Sequence, residues 1–183
     1  MEKIYIALVD TPGLFARMIR HTLDQDYIHV AIGLDEELNE AYSIGRRHPS
    51  IPIFSGFERE DKVKILHKFP EAKYMIFELE CTYEQKRFIE KRLHDDMERR
   101  FKIHYAVIGL PYLVLEKEFY QHNHYTCSSY LARLLEESGI KLFDKHFSLV
   151  TPKDFYEYED KKVIFEGYLK EITLSGEYSM EVM

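Results

Sequence analysis

Residues 27–34 alternate strictly: Ile28, Val30, Ile32 and Leu34 fall on one face of an extended chain, and His29, Ala31 and Gly33 fall on the other. A strand of this kind hides its apolar face in a core, so the rest of the chain must supply a sheet around it. The opposite face carries an imidazole beside two small residues, which leaves room for another group to approach the ring. A strand histidine that bonds a backbone carbonyl, or faces water, accounts for His29 equally simply, and taken alone that plainer reading is preferred. The same period recurs at residues 3–10, where Ile4, Ile6 and Leu8 alternate with Tyr5, Ala7 and Val9 before Thr11-Pro12-Gly13 ends the run. Residues 74–80 and 163–169, rich in aromatic and aliphatic side chains, read as further strands.

Helical spacing appears between these strands. Leu14, Phe15, Met18, Ile19, Thr22 and Leu23 make one face of a helix at residues 14–23. Thr82 with Gln85 forms a capping box for a helix that packs through Phe88, Ile89, Leu93 and Met97. Thr151-Pro152 begins a capped helical turn with proline at its first position. The most informative helix follows Thr126 as candidate N-cap, uses Tyr130, Leu131, Leu134 and Leu135 for packing and stops at Gly139. Its first residue is Cys127. A thiol there lies among backbone N–H groups that lack intrahelical acceptors, at the positive end of the helix dipole, which favours thiolate. Free cysteine is also among the residues most often buried as a small hydrophobe, so position alone leaves both readings open.

Residues 35–37 form a polar turn, and residues 38–44 read as the strand returning beside His29. With an even-numbered loop Glu40 falls on His29's face, about 7–8 Å away at the Cα atoms if diagonal, within reach of long side chains. Glu40 is then the candidate to hold the imidazole in one tautomer and stabilise its charged form; a solvated strand glutamate is the alternative, and register decides. Arg46 and Arg47, in the turn that follows, are candidates to bind a substrate carboxylate, against the commoner reading of a solvated basic turn. Residues 50–70, with Pro52, Gly56 and Pro70 and a charged run at 58–62, read as loops around a short strand at 63–66.

The 183 residues suffice for one well-buried core and are few for two, so a single domain over residues 1–183 is expected. A net charge of −7 without a charged tail argues against nucleic acid or an anionic membrane surface as the main partner. No apolar run approaches the length of a membrane span. Cys81 and Cys127 are the only cysteines and have no framework spacing, and no leader-like segment opens the chain, so reduced thiols in the cytoplasm are expected. Cys81, between strand and helix, reads as structural or incidental.

A cysteine at a helix N-terminus, a strand histidine and a carboxylate on the next strand are the components of a Cys-His-Glu set, in the order His29, Glu40, Cys127. In Tyr27-Ile28-His29-Val30-Ala31-Ile32, in Leu38-Asn39-Glu40-Ala41-Tyr42-Ser43-Ile44-Gly45-Arg46, in Tyr125-Thr126-Cys127-Ser128-Ser129-Tyr130-Leu131 and in Thr151-Pro152-Lys153-Asp154-Phe155, the chain resembles the circularly permuted NlpC-type, papain-like cysteine peptidases, in particular their YiiX/YaeF-like branch. That branch places histidine before cysteine, as here. The resemblance implies an α+β fold, an antiparallel sheet with the nucleophile helix packed against it. It implies Cys127 as nucleophile, His29 as general base and acid, and Glu40 as the residue that orients His29. Tyr105 and Ser128 are candidates for the oxyanion and substrate region. The implied activity is a cysteine peptidase or amidase acting on small peptides or amides, such as those derived from cell walls, with no cofactor. An acyltransferase or thioesterase on a lipid or small-molecule acyl donor is the alternative, as is a non-catalytic binding module of the same fold. His122 and His124 with Cys127 also offer zinc-type ligands, but the spacing is not that of a finger and no fourth ligand is evident.

Overall fold

A computed structural model describes residues 1–12, 26–46 and 55–172 of the chain. The helix expected at residues 14–23 and Arg47 lie outside the described residues, as does the side chain of Arg46. The architecture is α+β, built on one eight-stranded sheet. Its strands are β1 (Glu2–Asp10), β2 (His29–Gly33), β3 (Ala41–Arg46), β4 (Ser55–Arg59), β5 (Lys73–Cys81), β6 (His104–Tyr105), β7 (His124–Tyr125) and β8 (Lys162–Tyr168). They lie in the order β7-β6-β4-β3-β2-β1-β5-β8, with every ladder antiparallel except the short pairing of β6 with β7. The helices are α1 (Lys62–Lys68), α2 (Tyr83–Glu98), α3 (Gly109–Val114), α4 (Cys127–Glu137) and α5 (Pro152–Glu157). No helix among the described residues is long and apolar enough to cross a membrane.

β1 sits mid-sheet between β2 and β5 and is buried on both faces, which is why both sets of its alternating side chains are apolar. Ile4, Ile6 and Leu8 join Val30, Ile32, Met75 and Phe77 in the larger core, closed by Ile89 and Leu93 of α2, by Leu131, Leu134 and Leu135 of α4 and by Phe155 of α5. Tyr5, Ala7 and Val9 join Ala31, Ala41, Tyr74 and Ile76 in a smaller cluster on the other face, against which Ile65, Leu66 and Phe69 pack.

Two local expectations are corrected. Residues 63–66 belong to α1 rather than to a strand: the Asp61 carboxylate accepts the Lys64 N–H at 3.0 Å as N-cap and starts a helix. A four-residue apolar run carries too little period to separate the two states, and the cap decides. Residues 55–59, expected in a loop, form β4, because Phe57 faces Ile44 across the ladder and is fully buried. The glycine and charges around Phe57 hid its alternation.

Candidate active site

Cys127 is the first residue of α4. The cap that starts the helix is reciprocal: Thr126 Oγ1 accepts the Ser129 N–H at 3.1 Å, and the Thr126 N–H donates to Ser129 Oγ at 2.8 Å. At the other end Gly139 adopts a positive φ of 85°, a conformation that an L side chain resists, and its N–H bonds the Glu136 carbonyl. Fixed at both ends, α4 packs on β2 and β3 through its apolar side.

β2 and β3 pair only at Ile32–Tyr42 and Gly33–Ala41, continued by the Leu34 N–H to the Glu40 carbonyl. Toward His29 the two strands part. The Val30 N–H, freed from the ladder, donates to Cys127 Sγ, as does the Ser128 N–H in the first turn of α4. The sulfur is buried and also shares a hydrogen bond with His29. Thus the opened ladder seats the thiol beside the strand histidine.

His29 Nε2 lies 2.8 Å from Glu60 Oε1 and 3.1 Å from Ser43 Oγ. An ionised carboxylate only accepts, so Nε2 carries the proton, which leaves Nδ1 for Cys127. Ser43 Oγ donates to the same Glu60 oxygen in a short contact. Glu60 directly follows β4 and donates its own N–H to the Ala41 carbonyl. It reaches His29 across β3, a span of about 9–10 Å at strand spacing, and can do so because the residues on that face of β3 are the small Ala41, Ser43 and Gly45. A Cβ on Gly45 would stand 3.2 Å from Ser43 Oγ and 3.6 Å from Glu60 Oε1.

Glu40 does not reach His29, which corrects the expected pairing. Five residues separate Leu34 from Glu40 in the hairpin, and their pairing sets Glu40 on the face opposite His29, Ser43 and Gly45. There its carboxylate accepts from Tyr42 Oη at 2.8 Å and bonds His94 Nε2 of α2 at 2.7 Å. Those two contacts, His94 first, hold Glu40 below the usual carboxylate range. Glu60 was missed because it lies 31 residues from His29, two strands away, inside a charged run that reads as solvated surface. The signal that pointed to it was the small-residue face of β3, which leaves a path for a carboxylate.

Burial opposes every charge in this group, and the mutual attraction of the charges outweighs it. For His29, burial favours the neutral ring, but a Cys127 thiolate and then the Glu60 carboxylate push its pKa well above the ordinary histidine value. For Cys127, burial favours the thiol, but His29 and the N–H groups of Val30 and Ser128 pull its pKa down. Glu60, despite its burial, is held low by His29 and Ser43. Both shifts run in the direction of a thiolate–imidazolium pair. His29 and Glu60 keep 23% and 19% of their side-chain surface accessible, whereas Cys127 is buried. Cys81, by contrast, has its thiol pushed up by burial.

The remaining candidates take these places. Ser128 Oγ is buried and donates to the Val150 carbonyl at 2.6 Å, so its hydroxyl ties α4 to the chain before α5; its backbone N–H serves the sulfur. Tyr105 lies on β6 opposite Tyr125 of β7, two residues before Cys127, and packs against the larger core. His124 Nδ1 bonds the His122 carbonyl and its ring lies 5.2 Å from that of His104, while Cys127 faces His29. Among the described residues no group of three or more His, Cys, Asp or Glu side chains is placed to hold a metal ion.

The sequence matches no family model and no curated protein. Among solved structures, the crystal structure of the metalloprotein YiiX from Escherichia coli O157:H7 is similar, with a TM-score of 0.60 at 10% identity over 91% of this chain and 98% of that one. The likeness is one of fold.

Proposed function

We propose that this chain is a cysteine acyl hydrolase, a peptidase or amidase of small peptide or amide substrates, with Cys127 as nucleophile, His29 as general base and acid, and Glu60 as the residue that orients His29. One observation carries the reading: a buried thiol at a helix N-terminus shares a hydrogen bond with a histidine whose far nitrogen is bonded to a half-buried carboxylate. Such a constellation lowers a thiol's pKa at the cost of burying charge, and packing alone gives no reason for it. The proposal includes placement within the permuted NlpC-type, papain-like group, supported by the fold likeness to YiiX together with the chain order histidine, carboxylate, cysteine.

In the mechanism, Cys127 thiolate attacks the carbonyl carbon and the carbonyl π electrons move to oxygen. The Cys127 N–H, at the first helical position and without an intrahelical acceptor, is the donor available to that oxyanion. His29 gives its Nδ1 proton to the leaving nitrogen as the C–N bond breaks, and a thioester remains on Cys127. Water, deprotonated by the neutral His29, attacks the thioester; the C–S bond breaks and the thiolate–imidazolium pair is restored. An alcohol or amine in place of water makes the same centre an acyltransferase.

The test is acyl-enzyme trapping. The protein is mixed with a panel of N-acyl and γ-glutamyl amides and with activated thioesters, quenched in acid and read by peptide mass spectrometry. The expected result is an acyl adduct on Cys127 that is absent from Cys127→Ala and decays by hydrolysis. A chain that forms no adduct with any donor, and turns none over, is a binding module of this fold instead.

A further inference from the structure

We propose that Ser43 is a positioning residue of the same site: its hydroxyl fixes Glu60 on His29 Nε2 and thereby selects the imidazole tautomer that faces Cys127. The inference rests on the function proposed above and concerns a side chain that the Cys-His-Glu reading leaves out.

Ser43 is fully buried in β3, between the strand of His29 and the strand that precedes Glu60. A buried hydroxyl needs a partner, and two other donors or acceptors of the site are the groups it meets: Oγ donates to Glu60 Oε1 and stands 3.1 Å from His29 Nε2. The two bonds to Oε1 come from different strands, so that single oxygen is held from two sides. Glu60 needs such a hold. It sits just beyond the end of β4, and its side chain must cross a neighbouring strand to reach the imidazole. A free carboxylate on that tether has other rotamers, and each one that leaves His29 removes the reason for the proton to stay on Nε2. With the proton on Nδ1 the neutral ring cannot accept the thiol's proton. The hydroxyl therefore acts through Glu60 on the ring and through the ring on the sulfur, without touching substrate.

Register explains why this position is available. Ser43 pairs with Glu58 and Ala41 bonds the Glu60 backbone, so Ser43 and Glu60 are diagonal neighbours on one face. Gly45, next on that face, has no side chain to compete for the space. From other elements, Cys127 of α4 acts electrostatically on His29, and Tyr74 of β5 is a buried phenol kept protonated by its burial and by the Glu60 charge. Both remain unchanged when Ser43 is replaced.

The experiment measures the iodoacetamide alkylation rate of Cys127 against pH by peptide mass spectrometry, with Cys81 as internal control, in the wild type, His29→Ala, Ser43→Ala and Ser43→Thr. Long-range proton–nitrogen spectra of the His29 ring, recorded above the pH at which the imidazolium is lost, report the tautomer of the neutral ring in the same proteins. Thermal unfolding shows which variants fold. The expected result is a Ser43→Ala profile displaced upward in pH, with a rate about three- to tenfold lower on the acid side, a hydrogen bond to a charged group being lost. The His29 spectrum then shows less Nε2 protonation, and Ser43→Thr, which keeps the hydroxyl, restores both. Should Ser43→Ala lower only the unfolding temperature, with profile and spectrum unchanged, Ser43 is a packing residue and the inference is overturned while the proposed function stands. Should wild-type Cys127 itself titrate as an ordinary thiol, unaffected by His29→Ala, both are overturned.

Discussion

A thiol at Cys127 is a weak nucleophile and a thiolate a strong one, so the side chains that set its proton affinity decide what the site can do. Glu60 and Glu40 separate here by what they touch. Glu60→Gln removes the charge behind His29 and is expected to lower turnover more than about tenfold. Glu40→Gln, on the other face with His94 and Tyr42, is expected to leave turnover within about twofold. Steady-state kinetics on any donor found by trapping checks both, and equal losses would return Glu40 to the site. The pH dependence follows from the directions of the two shifts. Cys127 is depressed, so kcat/KM rises with pH through a value below the ordinary thiol range of about 8.5. His29 is raised, so the imidazolium needed to protonate the leaving group persists above the ordinary histidine value of about 6.5 and is lost at alkaline pH. A bell with both limbs spread outward from the active plateau is expected, read from initial rates in overlapping buffers. In His29→Ala the acid limb moves up toward that of a free thiol.

At the scale of the element, α4 delivers the sulfur and its cap keeps the delivery fixed. The Thr126–Ser129 box satisfies backbone groups that would otherwise fray the first turn, where Cys127 and Ser128 reside. Thr126→Ala is expected to cost about 1 kcal/mol, measured by urea unfolding, and to slow Cys127 alkylation at acidic pH because the Ser128 N–H is held less firmly on the sulfur. The cap, the apolar side of α4 and the glycine stop were all legible in local sequence, since each depends on residues within one or two turns. The same holds for the apolar face of β2 and for the capping box of α2, where Thr82 Oγ1 accepts the Gln85 N–H at 3.2 Å. What misled was short or interrupted pattern: the apolar run at residues 63–66, which is helical in α1, and Phe57, whose neighbours Gly56 and Glu58 concealed β4.

Across the whole molecule, α4 must stay where the split between β2 and β3 receives it, and a buried polar cluster ties it to α2. Tyr130 Oη of α4 donates to Asp96 Oδ2 at 2.8 Å; Arg92 and Arg99 bond the same carboxylate, at 3.2 Å through Arg92 Nε and 2.8 Å through Arg99 Nε. Asp96 is buried, so its removal leaves the Tyr130 hydroxyl and Arg92 Nε to find new partners in a packed interface, although Arg92 keeps Glu137 at 3.1 Å. Asp96→Ala is expected to cost about 2–4 kcal/mol in urea unfolding. Tyr130→Phe, which leaves Asp96 paired with both arginines, should cost about 1 kcal/mol. A loss for Asp96→Ala no larger than for Tyr130→Phe would show that the cluster does not brace α4.

By itself the sequence determined which faces of the strands are apolar, where α4 begins and ends, and that a thiol stands at its first turn and an imidazole on the small-residue face of β2. Those properties follow from periodicity and capping, which act over a few residues. Only the tertiary structure decided which carboxylate meets His29. That choice depends on strand register, set by a five-residue separation between Leu34 and Glu40 that turns Glu40 to the far face, and on strand order, which puts the chain after β4 within reach across β3. A change of one residue in register exchanges the faces of a strand, and nothing within one strand's own pattern encodes its neighbour two places away.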